Sequence, residues 1–379
     1  MTFKVKTKGQ IEGEELLVPK LRFKEFNSEY QKYKIGDTLK VKSGKDQKLI
    51  ECINGTYPIL GTGGQIGTTN SFLYDKPSVL IGRKGTINKP QYMTTPFWTV
   101  DTLFYTDIKE EFNTKYIFYA FQNINWKKYD ESTGVPSLSC KTIEEILYYI
   151  PNKDEQDKIS TFITLLDKKI ELQQRKIETL KIYKKGLIQK MYQKNYNNKI
   201  KMEKILIQKS IRNTNDENYN VYSVSNKDGF ILQTEQFKDR IVASEDTKNY
   251  KVVEKDDFAY NPARINVGSI ARMKKDTKGI ISPMYICFKC NEKILPEYLE
   301  YFFESSKFTY EMNKRLEGSV RMCLSYESML NIPIELPNKN EQEEISKMLN
   351  NLSDKIKLEE EKWIKLKKLK KGLLQKMFI

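Results

Sequence analysis

One long stretch of this chain occurs twice. Pro151–Tyr192, PNKDEQDKISTFITLLDKKIELQQRKIETLKIYKKGLIQKMY, recurs without a gap as Pro337–Phe378, PNKNEQEEISKMLNNLSDKIKLEEEKWIKLKKLKKGLLQKMF. The copies lie 186 residues apart (337 minus 151), and about half of their positions are identical. A repeat at this spacing dictates the plan: globular unit, long helix, globular unit, long helix. Each copy opens with Asn152 or Asn338 as a candidate N-cap and Glu155 or Glu341 three residues on, a capping-box-like start. Inside, Ile159, Ile163, Leu166, Ile170, Ile177, Leu180, Leu187 and Met191 follow three-and-four spacing, interrupted at Gln173 and Lys184. The second copy runs Ile345, Leu349, Leu352, Ile356, Trp363, Leu366, Leu373 and Met377, interrupted at the matching Glu359 and Lys370. That is the seam of a coiled coil.

The remaining composition narrows the partners. Lys and Arg number 65 against 50 Asp and Glu, a formal charge of +15 that favours a polyanion. The five cysteines follow no disulfide framework, and their odd number suggests a reducing compartment. Cys287-Phe288-Lys289-Cys290 is a lone CxxC in a chain without histidine, so it reads as a buried strand rather than a zinc site. No run reaches membrane-spanning length, and Met1–Leu17 is too charged for a signal peptide. The expectation is a cytoplasmic protein without membrane contact.

In chain order, residues 1–17 read as a loose tail, 18–150 as the first globular unit, and 151–198 as the central helix with its polar linker. Residues 199–336 read as the second unit and 337–379 as the distal helix. The first unit carries β-type runs at Tyr57–Leu60, Ser78–Gly82, Phe97–Tyr105 and Leu147–Ile150, with a Gly/Thr turn cluster at Gly61–Gly67. A helix is expected over Thr114–Asn123, with Tyr116, Ile117, Ala120 and Phe121 as its apolar face. The second unit repeats the plan loosely. Phe258–Asn261 answers Val79–Gly82, Arg264 answers Arg83, Ile280–Phe288 answers Thr99–Tyr105, and Pro296–Phe303 is the matching helix. The fold class is α+β: two globular α/β units separated by two long helices.

No catalytic constellation emerges. Gly61–Gly67 lacks the Lys-Ser/Thr of a P-loop. Asn261-Pro262-Ala263-Arg264 lacks the second proline and aromatic of an amino-methyltransferase motif, and no cofactor-binding glycine motif precedes it. Without histidine, His-based nucleases and Ser-His-Asp hydrolases are excluded. Asp75, Asp101, Asp256 and Asp257 show no nuclease-like spacing. What remains suits DNA. Arg83, Lys84 and Thr86 stand in a Gly-flanked turn, Gln65 lies in the Gly61–Gly67 cluster, and Arg264, Asn266 and Ser269 stand in a setting similar to the first. Arginine addresses guanine bidentately, and lysine contacts phosphate.

The motifs Pro-Asn-Lys-Asp-Glu-Gln at 151–156 and its copy at 337–342, each followed by a long helix ending in Lys-Lys-Gly-Leu, resemble the specificity subunit of type I restriction–modification systems. The segments Pro58–Gly67, Ser78–Ile87 and Phe97–Leu103 are similar to one common type of target-recognition domain, and the second unit resembles the family more weakly. The resemblance implies two target-recognition domains reading the halves of a bipartite, asymmetric site on double-stranded DNA. It also implies docking of two modification (methyltransferase) subunits on the helices, with restriction (translocase/endonuclease) subunits in the full complex. The chain itself would hold no cofactor, no metal and no catalytic residue. A coiled-coil scaffold with incidental charge, or a nuclease with an unrecognised carboxylate site, are the alternatives. For partner binding, Phe162, Tyr183, Ile188, Met348, Leu369 and Leu374 lie beside the seam in excess of what two helices need.

Spacing two readers requires an antiparallel coiled coil. One register sets polar seam positions against each other, Lys184 opposite Glu359 and Gln173 opposite Lys370. It layers Leu180 with Trp363, Ile177 with Leu366, Ile170 with Leu373 and Leu187 with Ile356.

Overall fold

The computed structural model describes residues 3–5, 18–194, 196, 198–236, 247–318 and 321–379. The chain divides into two compact units, Met1–Gln174 with Glu361–Ile379, and Arg175–Glu360. These cross the linear boundaries read from sequence, because each globular part takes up half of each long helix. Of the expected tail, only Phe3–Val5 is described; it is a strand paired antiparallel with Leu21–Phe23, and Phe3 stacks on Phe23 at 4.8 Å. The rest of the tail, and residues 195 and 197 of the linker, lie outside the described residues.

The first unit is built on a four-stranded antiparallel sheet whose order is Leu39–Lys42, Leu103–Ile108, Ser78–Gly82 and Gln91–Met93. Ser78–Gly82 is buried at every position, as expected of a central strand. A second sheet joins the hairpin Tyr57–Gly61 and Gly64–Thr69 to Trp98–Thr99. The expected run Phe97–Tyr105 is therefore two strands. A turn in which the Leu103 N–H donates to the Val100 carbonyl (3.0 Å) passes the chain from one sheet to the other. The helix Thr114–Asn123 forms where expected, with Tyr116, Ile117, Ala120 and Phe121 buried. Its N-cap Asn113 accepts from the Tyr116 N–H at 2.8 Å.

The second unit repeats this order in different residues: Leu206–Lys209, Ile286–Cys290, Phe258–Tyr260 and Ile270–Arg272, again all antiparallel. Its second sheet adds Lys251–Val253 to a hairpin, Asn220–Ser225 with Gly229–Leu232, and to the crossing strand Gly279–Ile281. The helix is Pro296–Phe303. The CxxC lies in the strand Ile286–Cys290, where burial pushes both thiols up to about 12.

Both long helices, Lys153–Tyr192 and Lys339–Met377, begin as expected. Asn152 and Asn338 accept from the backbone N–H of Glu155 and Glu341, each at 3.0 Å. The following glutamine explains why the motif is doubled. Gln156 is buried, accepts from the Asn113 N–H at 2.9 Å and donates to the Pro151 carbonyl at 3.0 Å. Gln342 does the same with the Leu295 N–H and the Pro337 carbonyl, at 2.9 and 3.1 Å. Asn113 and Leu295 are the N-caps of the two short helices, so one amide ties each globular part to its long helix.

The helices run antiparallel within each unit. In the first, Ile159, Ile163 and Leu166 share a core with Leu373, Leu374 and Met377; in the second, Ile188 and Tyr192 share one with Ile345 and Leu349. The register differs from the one expected. Glu359 pairs with Lys176 at 3.0 Å, eight residues before Lys184, and Lys370 with Asp167 at 2.7 Å, six before Gln173. The shift averages one heptad. Its cause lies outside the seam, in a tyrosine on each short helix. Lys184 sits 4.9 Å from the Tyr301 ring centroid and 3.1 Å from Glu304, while Lys370 sits 5.4 Å from the Tyr119 ring. The Tyr119 hydroxyl donates to Asp167 (2.9 Å), and that of Tyr301 to Asn350 (2.6 Å). Each seam lysine thus stacks on a tyrosine of the globular part; Lys184 also takes its carboxylate there, from Glu304, while Lys370 takes Asp167 from the facing helix. Leu180 and Trp363 are both half-buried, the first in the second unit and the second in the first. Tyr301→Phe removes a hydrogen bond while keeping the ring, and should lower the stability of the second unit by about 1 kcal/mol. A urea midpoint shifted at constant slope would show it; an unchanged midpoint would discount the tyrosine as a tie.

Candidate nucleic-acid interface

In the first unit the strand Ser78–Gly82 runs directly into the basic turn. Its backbone is tied at several points. The N–H groups of Arg83 and Lys84 donate to the Thr102 carbonyl (2.8 and 3.3 Å), that of Gly85 to Pro136 (2.8 Å), and that of Leu138 to Arg83 (2.9 Å). Gly85 has φ +87, a conformation that excludes most side chains, and its missing Cβ would face Thr62 Oγ1 at 3.9 Å. The basic turn and the hairpin tip Gly61–Gly64 therefore abut, and the Gln91 side chain locks them by donating to the Gly61 carbonyl at 2.9 Å. Arg83, Lys84 and Gln65 all project into solvent, and Thr86 is half-buried. Arg83 makes one long contact to the Asp101 carbonyl (3.3 Å). Its guanidinium is thus held near the surface with most of its donors unspent.

The second unit places the same parts together from unlike residues. The strand Phe258–Tyr260 leads into Asn261–Ser269, where Arg264 and Asn266 are exposed. Gly268 has φ +89, and its missing Cβ would face Asn226 at 3.6 Å on the tip of the second hairpin. Ser269 lies deeper than Arg264 and Asn266, in the wall of the cavity beside Arg264. It is buried, and its hydroxyl donates to the Val224 carbonyl at 3.3 Å, because its strand-side position faces the second sheet. A polar cavity of about 320 Å³ opens beside Arg264, lined by Ser225, Asn226, Gln233, Asn261 and Tyr285. Asn226 and Lys227, which are not among the candidates above, are both exposed at the hairpin tip. The signal was present in Asn226-Lys227-Asp228-Gly229, a turn sequence between two apolar runs.

The helix faces sort the residues expected to bind partners. Ile188 and Leu374 are buried in the unit cores, and Phe162 is half-buried against Phe3 and Phe23. These three pack onto the globular parts and are withdrawn from a partner surface. Tyr183, Leu369 and Met348 are exposed. So are Leu172 and Leu358, which occupy equivalent places in the two repeats and were not singled out from sequence. Among the described residues no helix is long and apolar enough to cross a membrane.

The likeness to known proteins is extensive. The sequence matches the family described as the type I restriction modification DNA specificity domain twice, over residues 27–181 and 198–368. The fold is similar to the crystal structure of the type I restriction–modification S subunit from M. genitalium, with a TM-score of 0.64 at 16% identity, over 96% of this chain and 99% of that one. It is also similar to a chain from a structural study of complex assembly and conformational transition in the type I R-M system, with a TM-score of 0.54 at 10% identity, over 92% and 97%. With two matches that together span most of its length, each carrying a hairpin tip against a basic turn, the chain belongs to the type I restriction–modification DNA specificity family.

Proposed function

We propose that the chain selects a bipartite, asymmetric sequence on duplex DNA, each unit reading one half. The observation that carries this reading is the pair of identical sheet orders ending in unlike basic turns, Arg83-Lys84 in one unit and Arg264 with Asn266 in the other. Equal scaffolds hold the two turns in the same setting, and the unlike side chains in and around them give the two units unlike sequence preferences. The exposed apolar positions Leu172, Tyr183, Met348, Leu358 and Leu369 supply docking places for two modification subunits, one for each repeat. The chain contributes sequence selection and orientation; the chemistry belongs to its partners. Restriction subunits would complete the assembly.

Selection of bound duplexes from a random pool by the full chain tests the reading. The expected product is two short conserved blocks separated by a fixed unselected spacer. Arg264→Ala should blur one block only, by about 1–3 kcal/mol of discrimination at the affected position. Loss of both blocks together, or recovery of a single palindromic block, would contradict two independent readers.

A further inference from the structure

Beside the first hairpin the chain exposes apolar side chains that its own fold does not use. Leu49 is 100% and Ile53 94% exposed, and Ile66 on the facing strand is 54% exposed. The segment carrying Ile53 is braced. The Cys52 N–H donates to the Thr68 carbonyl (2.9 Å), Thr68 Oγ1 donates to the Cys52 carbonyl (2.7 Å), and the Gly55 N–H donates to Thr68 Oγ1 (3.0 Å). Between this segment and the hairpin lies an open groove of about 690 Å³, lined by Glu51, Ile53, Asn54, Gln65, Ile66 and Thr68. The Glu51 carboxylate is seated over Gly67, where a Cβ would come within 2.6 Å of its Oε1.

The lining has the chemistry of base edges and not of phosphate. A carboxylate repels the backbone but accepts from cytosine N4–H. Amide side chains such as Gln65 and Asn54 match adenine N6 and N7, and aliphatic groups such as Ile53 and Ile66 match the thymine methyl. The groove adjoins the hairpin whose tip meets the Arg83 turn, so it is continuous with the cationic surface. We propose that this groove is the base-reading element of the first unit, with Ile53 and Ile66 on thymine methyl groups and Gln65 on a neighbouring base edge. Arg83 and Lys84 hold the adjacent phosphates. The assignment rests on the DNA reading above and divides its labour: the groove specifies, the turn anchors.

Three variants of the full chain, Ile53→Ala, Gln65→Ala and Arg83→Ala, separate the roles in one binding assay on the duplex selected by the wild type. Gln65→Ala should relax preference at positions in one block by about 5- to 100-fold for a base contact, and Ile53→Ala by about fourfold, both with an unchanged salt slope. Replacing the contacted thymine by deoxyuridine should cost the wild type about fourfold and Ile53→Ala nothing. Arg83→Ala should keep both blocks and make the salt slope shallower by about one. The second block, retained in all variants, reports that the second unit remains folded, and an unchanged urea midpoint reports the same for the first. Wild-type preferences retained by both groove variants would overturn the groove and leave the DNA reading standing, as would uniform weakening with a shallower slope. A wild-type chain that selects no sequence overturns both.

Discussion

Raising monovalent salt from about 50 to 200 mM should cost the full chain on the order of 10³-fold in affinity for its duplex target. The net charge of +15 sets the sign. The magnitude comes from exposed cations such as Lys45, Lys48, Arg83 and Lys84 in the first unit, and Arg212, Lys227, Arg264 and Arg321 in the second. If about six of these meet phosphates, counterion release gives a slope near −5 in log K against log salt, and a fourfold change in salt then spans roughly three decades. Acidic neighbours such as Asp46, Glu51 and Asp228 limit the number that take part. Fluorescence anisotropy across a salt series measures the slope directly. A slope shallower than about −2 would mean that fewer than three phosphates are engaged, too few for two separate basic turns.

How much of this could be read in advance depended on whether a residue's partner was local. The N-caps Asn152 and Asn338, the helices Thr114–Asn123 and Pro296–Phe303, and the strand Ser78–Gly82 follow from periodicity and capping, which act within a few residues. Arg83 and Arg264 stood out because a Gly-bearing turn presents a cation at a strand end. The failures involve distant partners. Lys184 and Lys370 interrupt the seam, so heptad spacing alone matches them to polar seam positions of the facing helix. Their actual partners, Tyr301 with Glu304 and Tyr119 with Asp167, lie largely on elements that heptad spacing does not describe. Ile188 and Leu374 had the pattern of a spare apolar face, yet the globular cores claim them. Ser269 shows the limit for a single side chain: one strand position decides between solvent and the second sheet. Gly61–Gly67 has the composition of a turn cluster, yet the strands Tyr57–Gly61 and Gly64–Thr69 claim most of it.

Two glutamates at equivalent places in the repeat should respond very differently to the same substitution. Glu155 is fully buried and accepts from the Arg22 guanidinium through both oxygens, at 2.8 and 2.6 Å. The Tyr30 hydroxyl donates to it at 3.3 Å, and the Tyr30 ring lies 5.3 Å from the Arg22 guanidinium. Arg22 is itself buried; desolvation opposes its charge, yet the carboxylate outweighs it and holds the guanidinium above its ordinary pKa. This pair pins the strand Leu21–Phe23 to the start of the first long helix. Glu341 is only half-buried, and its side chain accepts from Asn338 at 3.1 Å. Glu155→Ala strands a buried cation and should destabilise the first unit by about 3–5 kcal/mol. Glu341→Ala should stay within about 0.5 kcal/mol. Replacing both partners together, Arg22→Met with Glu155→Leu, should recover most of the loss, since the greater part of it is the unpaired charge and not the bond. Denaturation of the three variants beside the wild type gives the comparison. Equal costs for Glu155→Ala and Glu341→Ala would show that the motif glutamate acts through the helix start alone, with the buried pair contributing nothing.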